Sequence, residues 1–463
     1  MKNKILLPLL ASLLALAAMP EIRYAFGDIN YPPLNGTVRL IYLALLGLSF
    51  LFFGWFVLLE AKSDENSITL KNKLIFALIL GVIFIMAKPV FSIDFHCYTM
   101  QGRVMGIYHT NPYLVPLDAF PDDPFVKGIF WTHRVAFYGP VWMLISGAMT
   151  FLAGNSVFLN LVALKTPILI GYLILIWQGY SLAGRICPER KNLIASLLAF
   201  NPFIITQYLI DGHHDILMFA LALWAVNLIY SKKYITGYVI FTLSVLIKYM
   251  SAAIAPFILF ILYVQSERKS DFWKRFFIFV GVSILVTIIA YLPFMQDGLK
   301  FFKNFMGHKL FLGTKGMDTN TIPFAILMVV EKIGFLKGID ITEPPKYIIN
   351  IFHLLFLLSV SLMFIKAWLA KGEMTKIFSS IAGVFLAYFT FEAFSFGAWF
   401  LIWVIPFILL SSIKKETLLV WLISFAGAVS FWKRLSFVLI GCMFVYFIVL
   451  VITSRKKEVQ IDV

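Results

Sequence analysis

Five groups of polar residues interrupt an otherwise apolar chain, and their types suit chemistry on a hydroxyl and a phosphate. The first contains Asp94, His96 and Tyr98, then Gln101, Gly102 and Arg103, then Gly106 and the run His109-Thr110-Asn111-Pro112-Tyr113. A carboxylate such as Asp94 can take the proton from an attacking hydroxyl, a role typically worth about 10²–10⁴-fold in rate. It can equally cap a helix or pair with Arg103. The second group holds Asp122-Asp123 between two prolines, then His133-Arg134 and Tyr138-Gly139-Pro140. The paired aspartates suit either a divalent ion or a plain turn.

The third group is Asn201-Pro202, Gln207-Tyr208 and Asp211-Gly212-His213-His214-Asp215. Neighbouring histidines diverge on a helix, and a zinc site usually needs three protein ligands. Hydrogen bonding to a phosphate or a hydroxyl suits imidazole better, because it both donates and accepts. The fourth is Lys248, set in the apolar sequence Val245-Leu-Ile-Lys248-Tyr-Met. It reads as a snorkelling side chain or as a point charge for phosphate. The fifth runs from Gly397 through Trp399 and Trp403 to Pro406, either an aromatic membrane belt or a surface for stacking a sugar ring or a lipid.

The elements that must position these residues are membrane helices. Of 463 residues, 61% are hydrophobic and only 14% charged, which excludes a water-soluble globular domain and a disordered chain. The mean hydropathy is +0.89. A span needs roughly 20 apolar residues, and the apolar runs predict about 12–14 spans in an all-α, polytopic transmembrane bundle. They fall near 5–19, 38–59, 73–90, 157–180, 193–209, 214–230, 234–248, 250–264, 274–294, 347–368, 377–394, 397–412, 417–431 and 434–452. The first follows Lys2 and Lys4 and ends in Ala17-Ala18-Met19, and reads as a cleaved signal or a retained span.

The net charge of +15 sits mostly in short loops, so it reports topology and anionic-lipid contact rather than nucleic acid. Lys/Arg-rich segments at 62–73, 185–191, 232–233, 267–275, 366–376 and 414–415 are predicted to be cytoplasmic. That orientation makes 137–153 and 322–335 interfacial or re-entrant helices inside two outer loops, 91–156 and 295–346. All five polar groups then face outward. The chain reads as one integral-membrane domain: spans in 1–90, the first outer loop, spans in 157–294, the second outer loop, then spans and a cytoplasmic tail in 347–463. Cys97, Cys187 and Cys442 show no metal or redox spacing.

The order of these motifs resembles the GT-C superfamily of integral-membrane glycosyltransferases, which use polyprenyl-phosphate sugars, and within it the prokaryotic mannosyltransferase-like members. The resemblance rests on Asp94; Gly106 with Asn111, Pro112 and Tyr113; Tyr138, Gly139 and Pro140; Asn201 and Pro202; Gly212 to Asp215; Lys248; and Trp399, Trp403 and Pro406. It spans about 90–410. In two respects the chain departs from the pattern: Asp94 follows the third predicted span rather than the first, and His213-His214 replaces His-Asn; at the Tyr-Pro-Pro or Tyr-Gly-Pro step it carries Gly139.

The resemblance implies an inverting transfer of a sugar, mannose favoured, to a glycolipid or cell-envelope glycan on the outer side of a prokaryotic cell membrane. Asp94 would be the general base. Arg103, Lys248, His133 and Arg134 would meet the donor phosphate. His96, Tyr98, Asn111, Tyr138, Gln207, His213, His214, Asp215 and Trp399 would contact sugar or acceptor. No cofactor is implied and no metal is assigned. The sequence contains no GxxxxGK[ST] phosphate loop, which fits a lipid-phosphate donor. Two other classes stay open: a surface-glycan polymerase or ligase, which would use several outward arginines, and a lipid or solute transporter, for which Lys165 is the candidate intramembrane charge.

Overall fold

The computed structural model describes residues 2–19, 36–62, 68–90, 92, 94–126, 129, 131–296, 298, 300, 321–323, 326, 329–330, 346–393, 397–411, 416–430 and 441. The regular elements among them are all helical. They form two compact units, Met1–His308 and Lys309–Val463.

The first unit contains α1 (Lys2–Ala17), α2 (Gly36–Ala61), α3 (Leu70–Met86), α4 (Asp94–Gly106), α5 (Pro140–Ala153) and α6 (Val157–Ile186). It continues with α7 (Lys191–Ala199), α8 (Asp215–Tyr230), α9 (Tyr234–Val245), α10 (Ala255–Val264) and α11 (Lys269–Tyr291). The second unit contains α12 (Lys346–Leu369), α13 (Met374–Ala387) and α14 (Glu416–Val429). Between the last two lie a π-helical turn Tyr388–Glu392, a 3₁₀ segment Ala398–Trp403 and the short helix Ile405–Leu409.

Among the described residues, six helical stretches are long and apolar enough to cross a bilayer: Gly36–Ala61, Val157–Ile186, Pro188–Ile210, Lys269–Phe294, Ile348–Leu369 and Met374–Glu392. Shorter apolar helices include Pro140–Ala153, Asp215–Tyr230 and Tyr234–Val245. The distribution of apolar surface supports a membrane solvent. Helix α3 exposes Ile75, Phe76, Leu78, Ile79, Val82, Ile83 and Met86, while α11 exposes Phe277, Ile284, Leu285, Ile288 and Ile289. In water such faces would be buried, because the hydrophobic effect removes apolar area from solvent. Hydrocarbon imposes no such penalty, so polar contacts move inward.

Several of those inward contacts were hidden in the sequence. Lys73, read there as part of a cytoplasmic loop run, is fully buried. It donates to Glu60 Oε1 at 2.9 Å and to the Asn192 carbonyl at 2.7 Å, and Ser196 Oγ bonds the same carboxylate oxygen at 3.1 Å. One ion pair thus ties α2 and α3 to α7. Ser12 of α1 hydrogen-bonds Ser49 of α2 at 2.9 Å, and Leu9, Leu13 and Leu16 are buried, so the first apolar run packs into the bundle.

Predicted and observed elements differ where helices break. The run at 193–209 is interrupted at Phe200-Asn201, restarts at Pro202 and widens into a π-helical turn at Ile205–Ile210. The runs at 234–248 and 250–264 are separated by an extended Lys248 and a 3₁₀ segment, Tyr249–Ile254. The polar stretch after α3, read as loop, contains the well-formed helix α4. Most of 322–335 and all of 434–440 and 442–452 lie outside the described residues.

In the second unit, Phe378, Phe385 and Phe407 stack, and Trp403 is buried against Phe385, Phe389 and Phe400.

Candidate active site

The site is built on α4, whose first residue is Asp94. Asp94, Tyr98 and Gln101 fall four and then three residues apart, on one helix face. Helix α4 lies unusually close to α5. A Cβ on Gly102 would sit 2.7 Å from the Ser146 carbonyl oxygen, and one on Gly106 would collide with the Gly147 carbonyl. This close approach sets Trp142 of α5 edge-on against Tyr98, with ring centroids 5.9 Å apart.

The opposite wall comes from the broken helix. The Asn201 side chain accepts from the Phe203 amide at 3.0 Å and restarts the helix after the break. The π-helical turn then delivers Gln207, and Gly212 (φ +82°) reverses the chain so that His213, His214 and Asp215 enter α8 fully buried. Gly212 is required: its φ favours glycine, and a Cβ would press on Phe95 of α4.

Lys165 fastens this turn. Buried in α6, it donates to the Ala87 carbonyl at 2.7 Å and to the Ile210 carbonyl, with its ammonium over the Phe95 ring. Asp211 Oδ1 accepts from the Val90 amide at 2.6 Å. Together these bonds fix the approach to Asp94 against the approach to His213.

Lys248 reaches the same place through a backbone splice. Helix α9 ends at Val245, and the freed carbonyls of Leu246 and Ile247 accept from the amides of Val141 and Gly139, each at 3.0 Å. The splice explains why glycine stands at the middle of the Tyr138-Gly139-Pro140 step. A proline here would lack the N–H that bonds Ile247, and any Cβ would collide with the Leu246 carbonyl. With its backbone held extended, Lys248 pairs with Asp215 Oδ1 at 2.7 Å and lies 5.9 Å from the Tyr138 ring centre. The lysine side chain keeps 16% exposure, whereas Asp215 has none.

Four rings fill the space among these groups. His214 stacks on Trp142 at 4.4 Å and 13°. Tyr98 and Tyr138 each stand edge-on to His214 at 4.7 Å, and edge-on to one another at 5.2 Å. The Tyr113 hydroxyl donates to the Tyr138 carbonyl at 2.7 Å and so holds the loop that carries the ring.

The electrostatics of Asp94 follow from this setting. Burial pushes its carboxyl up from 3.8 to about 6; the nearby Lys248 charge pulls it down, and the Asp215 charge pushes it up further. Burial and the Lys165 charge hold His96 below the ordinary histidine value.

The structure thus brings Asp94, Tyr98, Tyr138, His213, His214, Asp215 and Lys248 together, and gives several other candidates contacts of their own. Arg103 does not pair with Asp94 and does not face this cluster. About 14 Å along α4 from Asp94 at the usual helical rise, it is buried and engaged with Asp123 at 2.8 Å, the Gly154 carbonyl at 2.7 Å and Asn155 at 3.0 Å. Asp123 also accepts from Tyr108 and from the Phe125 amide, while Asp122 is exposed, so the two aspartates do not act as a pair. His133 is exposed, and the Arg134 charge reaches Cys97 of α4. Asn111 holds its own loop, donating to the Phe294 carbonyl at 2.9 Å and accepting from Tyr113 N–H at 3.0 Å. Trp399, half-buried against Phe400, belongs to the second unit.

Sequence reasoning gave no role to Trp142. No motif marks it; a tryptophan in an apolar helix reads as packing. Among the described residues, no three His, Cys, Asp or Glu side chains gather closely enough to hold a metal ion.

Residues 7–264, more than half of the chain and within the first unit, match the family described as alpha-(1->6)-mannopyranosyltransferase, N-terminal domain. The chain belongs to this family. Among its relatives is alpha-(1->6)-mannopyranosyltransferase A of Mycobacterium tuberculosis, 24% identical over 213 residues, which are 45% of this chain and 40% of that protein. The protein of the same name from Corynebacterium glutamicum is 24% identical over 215 residues, 44% of this chain and 41% of that protein. The chain thus spans about two fifths of the length of the curated relatives it matches. The mannopyranosyltransferase family match covers Asp94, the α4–α5 pair, the His213-His214 turn and Lys248.

Proposed function

We propose that this protein is an integral-membrane mannosyltransferase that moves mannose from a polyprenyl-phosphate donor to a glycolipid or glycan acceptor, on the outer face of a prokaryotic cell membrane. The observation that carries the reading is the meeting of a raised carboxyl, Asp94, with the Lys248–Asp215 ion pair at a family-matched position. A base with a value near 6 is ionised at neutral pH yet basic enough to accept a proton as the transition state forms.

In the proposed reaction the acceptor hydroxyl gives its proton to Asp94 as its oxygen attacks the anomeric carbon. The bond from that carbon to the phosphate oxygen breaks, and its electron pair stays with the polyprenyl phosphate. Lys248 turns from Asp215 toward this leaving charge. A preorganised cation at a site shielded from water is a large electrostatic contribution to catalysis. The displacement inverts the anomeric centre, so an alpha product of the kind named for the relatives requires a beta-linked donor. His213, His214 and Asp215 hold sugar hydroxyls, and Tyr98 and Tyr138 flank them.

Two residues that would support the alternatives are committed to other contacts. Lys165, the basis of a transporter reading, is committed to two backbone carbonyls that shape the turn. Arg103, one of the two outward arginines a polymerase or ligase reading would use, is committed to Asp123.

The test is transfer from radiolabelled polyprenyl-phosphate mannose into membrane-lipid acceptors by purified protein, with Asp94→Asn as the control. Label moving only with the wild type is expected. Transfer at an undiminished rate by Asp94→Asn refutes the base assignment, and inactivity of the folded wild type with every lipid-phosphate sugar refutes the class.

A further inference from the structure

Trp142 is fully buried, and among the described residues its indole Nε1 has no hydrogen-bond partner. The same holds for both ring nitrogens of His214, the residue stacked on it. Buried polar atoms are almost always satisfied, so two adjacent rings with unpartnered nitrogens call for an occupant. Packing alone does not explain a tryptophan: phenylalanine would fill an apolar layer without a stranded N–H.

The surroundings define what that occupant is. Tyr98 stands edge-on to both rings, and Tyr138 is edge-on to His214. The Asp94 charge acts on both tyrosines, and the Lys248 ammonium lies 5.9 Å from the Tyr138 ring. The Trp142–His214 pair is therefore flanked by two tyrosines that feel the Asp94 charge, one of them beside the Lys248 ammonium. The pair itself carries no cation for a phosphate. An indole offers one donor, and a neutral imidazole one donor and one acceptor. That inventory matches an uncharged hydroxyl group.

We propose that Trp142 is a specificity-determining residue whose indole N–H, beside His214, donates a hydrogen bond to one hydroxyl of the transferred sugar. This rests on the proposed transferase reading and deepens it. A site built to hydrogen-bond a hydroxyl rejects the analogue lacking it, because its own polar groups are then left unpaired.

The experiment measures kcat/KM of the wild-type protein and of Trp142→Phe with polyprenyl-phosphate mannose and with its 2-, 3-, 4- and 6-deoxy analogues. Phenylalanine keeps a ring against His214 and deletes only the donor. With mannose the variant should fall about tenfold, the size of one lost hydrogen bond at a buried polar site. With one of the deoxy sugars, wild type and variant should be equal, because the partner hydroxyl is already gone. An equal loss on every sugar, or no loss on mannose, overturns the assignment. Should Trp142→Phe not fold, the wild-type deoxy series carries the test: one analogue should fall about tenfold or more against mannose, and undiminished turnover of all four overturns the assignment. Wild-type turnover of intact mannose is the separate check on the reaction class, and its absence overturns both readings.

Discussion

Replacing Asp94 with asparagine should remove activity and at the same time stabilise the protein. The carboxyl is raised from 3.8 to about 6 chiefly by burial, so the folded state resists its ionisation. A rise of that size corresponds to about 3 kcal/mol, at about 1.4 kcal/mol for each tenfold change in proton affinity. Asp94 keeps partial exposure, and solvent screening lowers the expected effect to about 1–2 kcal/mol. The sign follows from linkage. A folded-state value above the unfolded one means that the folded state binds more protons between about pH 4 and 6, so stability falls as pH rises through that window. Asparagine, which cannot ionise, escapes this loss. Asp94→Asn should therefore unfold at a higher temperature than wild type above pH 6, and at the same temperature near pH 4. Thermal unfolding in detergent across pH 4–8 reads this directly. Wild-type kcat/KM should fall about tenfold per pH unit below about pH 6, and the variant should lose about 10²–10⁴-fold at pH 7. An active variant, or one destabilised at pH 8, would refute the account of Asp94 as a strained, functional base.

Other perturbations separate binding from architecture. Lys248→Ala should raise the donor KM by about tenfold or more, as loss of a charge-assisted contact does, while the acceptor KM stays within about twofold; equal rises in both would count against a phosphate contact. Arg103→Ala strands Asp123 in the interior and should cost about 3–5 kcal/mol of stability, with kcat per folded molecule little changed; a specific rise in donor KM would return Arg103 to the phosphate site. Asp122 is exposed in the first polar loop, so a cysteine there, with Cys442→Ser, should label from outside intact cells; labelling only after permeabilisation would invert the orientation.

Sequence alone determined the solvent and the chemistry on offer. An apolar content of 61% commits most of the chain to helices in a bilayer, because every backbone polar group there must be satisfied within the helix. Asp94, Lys248 and the His213-His214-Asp215 turn stood out for the same reason: ionisable groups beside apolar runs are costly and so carry information. Their order also sufficed to show the family resemblance.

Only the tertiary structure decided which charges meet. Arg103 and Lys248 look alike as outward cations, yet one is bound by an aspartate 20 residues along the chain and the other by an aspartate 33 residues back. Lys73 and Lys165 look like a topology signal and a transport charge, yet each is a buried clip between helices. Trp142 carries no signal at all until α4 and α5 close over their glycines and leave its indole nitrogen beside His214. The physical reason is common to all of them. Composition and spacing fix the cost of burying a polar group, but its partner comes from distant chain, brought in by helix breaks at Asn201 and Lys248 and by the close glycine contacts of α4.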